Sequence, residues 1–105
     1  MDREELLDRI KDCLQDAYGD RLQGVLLYGS EARGEAEPDS DIDILVLLRG
    51  PIELWNDIQT NVYALYDLQL EVIRPIHAMP VDVEVFRAGE YALYRNAKRE
   101  GIYIE

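Results

Sequence analysis

The fold is decided by residues 23–48, whose sequence is QGVLLYGSEARGEAEPDSDIDILVLL. The part from Gln23 to Tyr28 is short, apolar and bounded by glycines, which predicts a buried strand that ends at Gly29. Turn-forming residues follow it. From Asp41 to Leu48 the chain first alternates acid with isoleucine and then becomes continuously apolar. This pattern predicts a second strand that begins half exposed and ends buried.

Helices and further strands are predicted on both sides of this segment. Three segments place apolar residues at helical spacing, and two more alternate or are apolar over strand-like lengths. The predicted helices are Asp2–Tyr18, Ile52–Tyr66 and Glu90–Glu100, and the further strands are Leu68–Ile73 and Val81–Phe86. The element order predicts an α/β (α+β) protein in which a small mixed β-sheet carries helices packed on one face. Trp55 belongs to the apolar face of the second helix, so we expect it in the core.

Length and composition predict one domain, residues 1–105, of an ordinary globular protein. Hydrophobic residues make up 48% and charged residues 31% of the chain. Eleven Lys and Arg against 22 Asp and Glu give a net charge of −11, which argues against direct nucleic-acid binding by phosphate neutralisation. Cys13 is the only cysteine, and we find neither a secretory signal nor an apolar run long enough for a bilayer. We therefore expect a cytoplasmic protein without a membrane partner.

Two carboxylates carry the strongest chemical signal. Asp41 and Asp43 are two residues apart on the second strand, so their side chains share a face and lie roughly 7 Å apart along it. Such a pair can hold metal ions, and a solvated strand face is the alternative. Gly29 and Ser30 end the first strand where backbone N–H groups and a hydroxyl can hold phosphate oxygens. The sequence contains neither the Rossmann nor the P-loop phosphate motif.

These residues together resemble a known signature. Residues 29–34, GSEARG, followed by SDIDILV from Ser40, resemble the motif of the polymerase-β-type nucleotidyltransferases. The short chain is similar, more narrowly, to the minimal nucleotidyltransferase family of prokaryotes. The resemblance implies Mg²⁺-dependent transfer of a nucleoside monophosphate, AMP from ATP, to a hydroxyl, with two Mg²⁺ ions. It implies nucleotide binding by Gly29, Ser30, Arg33 and Ser40, and it implies that Asp41 and Asp43 are catalytic metal ligands.

The family also uses a third carboxylate on a later strand. Glu71, in the stretch LEVIRP, is the best match and would be a catalytic metal ligand, although it is one methylene longer than the usual Asp. Asp82 and Glu84 on the following predicted strand are alternatives, and so is the absence of a third ligand. Carboxylate and phosphate oxygens suffice for Mg²⁺, so His77, the only histidine, is not required.

An acceptor site requires a second polypeptide, because 105 residues leave no room for the helical acceptor-binding domain of larger relatives. That polypeptide is either a second copy of the chain or a distinct protein. The resemblance implies an antitoxin whose partner is a HEPN-type ribonuclease toxin, silenced by adenylylation of a tyrosine. The acidic chain suits a basic, RNA-binding partner. The alternative is a non-catalytic, nucleotide-binding antitoxin or interaction module that neutralises its partner by binding it.

Overall fold

A four-stranded sheet organises the protein. The computed structural model describes residues 1–104. Its elements are α1 (Arg3–Tyr18), β1 (Leu22–Tyr28), α2 (Gly29–Ala32), β2 (Ile42–Leu48), α3 (Leu54–Glu71), β3 (Ile76–Asp82), α4 (Val83–Ala88), α5 (Ala92–Glu100) and β4 (Ile102–Tyr103). The strand order is β3-β2-β1-β4. β1 is antiparallel to β2 and β4, whereas β2 and β3 are parallel. The predicted mixed sheet is therefore confirmed.

The sheet is covered on both faces. Ile42, Ile44, Val46 and Leu48 of β2 pack in one core with α1 and α3. Leu45 and Leu47, which point the other way, pack with Val83 and Phe86 of α4 and Ala97 of α5. The prediction placed helices on one face only. The structure differs because the second half of β2 is apolar on both sides, and both sides must be shielded from water.

Helix α1 follows its prediction closely. The Asp2 side chain accepts a hydrogen bond from the Glu5 backbone N–H at 2.8 Å, which satisfies one of the free donors at the helix start. Gly19 ends the helix with φ +56°. The buried side chains are Leu6, Ile10 and Leu14. No helix in residues 1–104 is long and apolar enough to cross a membrane.

Both later strand predictions are wrong. The segment predicted as strand Leu68–Ile73 is mostly helical, because α3 continues to Glu71 and buries Leu68 on the same side as Leu65. Pro75 disfavours helical backbone at the residue before it, so the chain becomes extended there and β3 begins at Ile76. The segment predicted as strand Val81–Phe86 contains the end of β3 and most of α4.

Helix α3 turns a partly polar side inward. Its buried residues are Asp57, Asn61, Leu65 and Leu68. Trp55, expected in the core, is 70% exposed. The outward side also carries Leu54, Val62, Tyr63, Tyr66 and Leu70. The predicted orientation failed because specific polar contacts, which composition does not show, fix the rotation of the helix about its axis.

The Arg21–Asp57 pair is the strongest of these contacts. Arg21 Nη1 and Nη2 donate to the two Asp57 oxygens at 2.7 and 3.0 Å. The same guanidinium donates to the carbonyl oxygens of Arg49 and Pro51, and the Glu53 N–H donates to Asp57. Hydrogen bonding from Arg21 holds the pKa of Asp57 below its usual range. The pair thus ties α3 to the segment that follows β2.

We predict that Asp57→Asn lowers the free energy of unfolding at pH 7 by about 2–3 kcal/mol, because it breaks a buried ion pair. The folded pKa of Asp57 is depressed, so this contribution is complete above the unfolded pKa of about 3.9 and is lost as pH falls through the folded value. Urea unfolding at pH 7, 5 and 3 measures it. Asp67→Asn, on the exposed side of α3, is the control. A wild-type advantage that stays constant down to pH 3 would contradict the assignment.

Candidate functional site

The two acids lie together at the start of β2. Asp43 is the second residue of the strand, and Asp41 directly precedes it. Both point to the sheet face that carries Leu45 and Leu47, opposite the α1 and α3 core. Their side chains are 49% and 31% exposed. The start of β2 is therefore an acidic, solvent-accessible surface at the edge of an apolar sheet.

Gly29 lies directly against Asp43. Tyr28 at the end of β1 pairs with Asp43 across the antiparallel ladder, and Gly29 begins α2 at the next position. Gly29 has φ +73°, and a Cβ atom there would lie 2.7 Å from Asp43 Oδ2. Only glycine combines that backbone conformation with that closeness. The structure thus brings the Gly29–Ser30 turn and the acid pair into one site.

Arg33 borders this site but is held by acids. It forms ion pairs with Glu35 and, at 3.7 Å, with Glu100, and the hydrogen bond that Arg33 donates to Glu35 raises the pKa of Arg33. A cavity of ≈ 230 Å³ lies beside it. The cavity lining includes Tyr28, Gly29, Arg33, Leu93, Asn96 and Glu100. Arg33 is therefore next to the glycine turn, although its charge is already shared with carboxylates.

Ser40 holds the loop before β2. Its hydroxyl oxygen accepts a hydrogen bond from the Glu37 N–H at 2.8 Å, and its carbonyl accepts one from Arg74 Nε at 2.8 Å. These contacts fix the turn that leads into Asp41. In this conformation the hydroxyl of Ser40 stabilises the loop through Glu37. A contact between this hydroxyl and a nucleotide would come in addition to that hydrogen bond.

None of the three carboxylates predicted as a third ligand lies beside the acid pair. Glu71 ends α3 and forms a bidentate ion pair with Arg9 at 2.7 and 3.0 Å, on the α1 side of the sheet. Asp82 is at the opposite end of β3, roughly 20 Å from its start, and caps α4 by accepting from the N–H groups of Glu84 and Val85. Glu84 pairs with Arg87. The strands predicted to carry these residues differ from those of the structure, so none of the three faces the acid pair here.

His77 is the residue that β3 places beside the acids. In the parallel ladder Asp43 is the register partner of His77. The Nδ1 atom of His77 lies 3.6 Å from Asp41 Oδ2 and 3.9 Å from Asp43 Oδ1. The sequence did not predict this position because β3 was assigned to other residues. The alternation of Ile76, His77 and Ala78 was the available signal, with histidine on the opposite side from two apolar residues.

Glu31 and Arg74 form a second unexpected element of the site. Glu31, inside the GSEARG motif, is 9% exposed and accepts from Arg74 Nη1 at 2.7 Å, with Arg3 at 3.6 Å. Arg74 also holds the Ser40 carbonyl. One guanidinium thus joins the glycine turn, the loop before β2 and the segment before β3.

Comparison with known proteins identifies the family. Residues 7–104 match the family model described as "Nucleotidyltransferase domain". The chain therefore belongs to the nucleotidyltransferases, as the GSEARG and DID motifs indicated. It is 28% identical over 102 residues to "Putative protein adenylyltransferase MJ0604" of Methanocaldococcus jannaschii, with 96% of each chain covered.

Solved structures share the fold. A toxin–antitoxin crystal structure with AMP-PNP has a chain that superposes with a TM-score of 0.63 at 22% identity, covering 94% of this chain and 72% of that one. A complex of the tri-AMPylated Shewanella oneidensis HEPN toxin with its MNT antitoxin gives 0.58 at 20% identity, covering 96% and 70%. At these identities the similarity establishes the nucleotidyltransferase fold.

The acid pair fits the divalent ion that this family uses. In residues 1–104 no three His, Cys, Asp or Glu side chains form a ready-made metal cage. Mg²⁺, however, keeps several waters and is commonly held by one or two carboxylates together with phosphate oxygens. Asp41 and Asp43 supply those carboxylates on one accessible face, and the absence of a Cβ at Gly29 lets the glycine turn approach Asp43 closely. The donor set is sufficient for an ion that arrives with a nucleotide.

We predict that Gly29→Ala and Gly34→Ala each destabilise the fold by about 1–2 kcal/mol, because both glycines have positive φ, but that only Gly29→Ala impairs nucleotide binding. A Cβ at residue 29 would displace the Asp43 carboxylate, whereas one at residue 34 meets nothing within 4 Å. Urea unfolding measures the first effect, and calorimetry with ATP and a divalent ion measures the second. Equal affinities of the two variants would refute the contact.

We also predict that Arg74→Met lowers the free energy of unfolding by about 2–3 kcal/mol, because it leaves the Glu31 carboxylate buried without a hydrogen-bonded partner. Arg9→Met is the matched control. It removes an Arg–Glu pair of the same length, 2.7 Å, at the surface, so no measurable change is expected. Denaturant unfolding compares the two variants, and an equal loss would show that burial does not distinguish the pairs.

Proposed function

We propose that the chain transfers AMP from ATP to a hydroxyl of a partner protein and releases pyrophosphate. The observation that carries the proposal is the contact between Gly29 and Asp43, which sets the glycine turn against the Asp41–Asp43 carboxylate pair. The M. jannaschii relative, named "Putative protein adenylyltransferase MJ0604", supports the choice of AMP and of a protein acceptor.

The roles of the residues follow from their positions. The backbone N–H groups at the Gly29–Ser30 turn hold the triphosphate. Asp41 and Asp43 hold a divalent ion that neutralises phosphate charge. The acceptor oxygen forms a bond to the α-phosphorus while the bond from that phosphorus to the β-bridging oxygen breaks. That bond's electron pair leaves with pyrophosphate, and the acceptor proton passes to solvent.

The cavity beside Gly29 is the proposed nucleoside site. It is next to the glycine turn, and Tyr28 and Leu93 give it apolar walls while Asn96 supplies an amide for a base or ribose. Arg33 lines the same cavity and can reach a phosphate by exchanging its contacts with Glu35 and Glu100.

We place this activity in the cytoplasm, in keeping with Cys13, a free thiol.

The proposed partner is a HEPN-type toxin, with a tyrosine hydroxyl as acceptor. Two structures that share this fold support it, one a toxin–antitoxin with AMP-PNP and the other a tri-AMPylated HEPN toxin with its MNT antitoxin. The net charge of −11 favours a basic partner, because complementary charge accelerates encounter and selects against acidic proteins.

One observation favours a second candidate function. The place beside Asp43 on the neighbouring strand holds His77 and not a third carboxylate. An antitoxin that binds nucleotide and neutralises its partner by occupancy would need no group to assist the acceptor hydroxyl. The two functions differ in one measurable product, the covalently modified partner.

We predict that proteins co-purifying with the chain gain the mass of one or more AMP units after incubation with ATP and a divalent ion. The double variant Asp41→Asn with Asp43→Asn should reduce that transfer by roughly 10²-fold or more, because metal charge stabilisation is lost. Intact-mass spectrometry measures the gain. Glu71→Gln is the matched control, since it removes a carboxylate that the structure pairs with Arg9 away from the site.

A complex that forms, binds ATP and stays unmodified would replace the transfer proposal with the binding function. Equal transfer rates in wild type and the double variant would remove the acid pair from the mechanism. A lower transfer rate in Glu71→Gln would show that Glu71 acts in the reaction as the third carboxylate, although the structure pairs it with Arg9.

A further inference from the structure

His77 is exposed, faces the acid pair and takes no part in the mechanism described so far. It is the only histidine of the chain, and its side chain is 61% exposed. Within residues 1–104, His77 is the basic side chain that lies within 4 Å of the Asp41 and Asp43 carboxylates, at 3.6 and 3.9 Å. The imidazole reaches both carboxylates from the adjacent parallel strand, so its position is set by the ladder and not by a mobile loop.

These separations are close to those of atoms bound to one metal ion. Ligand atoms about 2.1 Å from an ion are about 3.0 Å apart at right angles and about 3.4 Å apart at the tetrahedral angle. The His77 contacts exceed the right-angle value by about 0.6 and 0.9 Å. Rotation of the exposed His77 and Asp41 side chains changes these separations without moving the backbone. The imidazole therefore needs no backbone movement to join an ion held by the acids.

We propose that His77 is a third ligand of the ion held by Asp41 and Asp43, and that this nitrogen makes the site prefer a first-row transition dication such as Mn²⁺ to Mg²⁺. Carboxylate and water oxygens suit both ions, whereas imidazole favours the transition metals and adds little for Mg²⁺. A carboxylate at residue 77 would favour Mg²⁺. The inference rests on the proposed metal-dependent transfer and specifies its metal.

A spectroscopic experiment tests the ligand directly. Mn²⁺ is bound to the tag-free chain together with inorganic triphosphate, whose donor atoms are all oxygen. Pulsed electron paramagnetic resonance then detects nitrogen coupled to the ion, and His77 is the only imidazole present. We expect imidazole nitrogen coupling in the wild type and none in His77→Ala, while both proteins retain the same circular dichroism.

Calorimetry with Mn²⁺ and Mg²⁺ in the presence of inorganic triphosphate supplies the second measurement. His77→Ala should weaken Mn²⁺ binding about tenfold and Mg²⁺ binding by less than about twofold, in the range seen when a metal site loses a supporting group. His77→Asp should strengthen Mg²⁺ binding and reduce the ratio of the Mn²⁺ affinity to the Mg²⁺ affinity. Asp82→Asn, at the far end of β3, is expected to change neither affinity.

The outcomes separate this inference from the proposed function. Absence of imidazole coupling in the wild type, or equal loss of both ions in His77→Ala, would overturn the ligand role and leave His77 as a charge neighbour of the acids. Imidazole coupling in a chain that modifies no partner would support the ligand role and count against the transfer proposal alone.

Discussion

The double burial of β2 is the constraint on which the rest of the structure depends. Ile44, Val46 and Leu48 contact one helical layer and Leu45 and Leu47 the other, so charged side chains are excluded from the second half of the strand. The acids occur where the strand enters the sheet and α5 leaves one face open. The same constraint fixes register, because a shift by one residue would drive Asp43 into the α1 and α3 core.

Much of this could be predicted from sequence because the signals were local. QGVLLY and DIDILVLL determined two strands, their burial and the shared face of Asp41 and Asp43. The later half of the chain failed because LQLEVI and VDVEVF each satisfy two patterns. Leu68 continues the helical face of Leu65 as well as it begins an apolar strand, and Asp82 alternates correctly for a strand while also capping a helix. Long-range pairing with β2, which local pattern does not contain, decided both cases.

Because β3 was assigned to the wrong residues, the side chain beside Asp43 was not predicted. A parallel strand is placed by its ladder partner, so the neighbour of Asp43 could be named only once β3 was known to begin at Ile76. The pairing of Glu31 with Arg74 was not predicted for a similar reason. Each is charged and unremarkable in sequence, and their pairing across 43 positions follows from the sheet order that brings the glycine turn and the β3 entry together. Buried ion pairs of this kind are visible only in the folded chain.

The charge of the site decides how a triphosphate can bind. The two arginines that reach its segments are engaged, Arg33 by Glu35 and Glu100 and Arg74 by Glu31. With the acid pair added, the protein offers a nucleotide little free positive charge at the glycine turn. Phosphoryl transfer requires charge neutralisation above all, so a site of this composition depends on a metal ion for the attraction that arginine or lysine supplies elsewhere. The acids that repel a free nucleotide are then the groups that bring the cation to it, and the identity of that cation becomes the property that a neighbour such as His77 can tune.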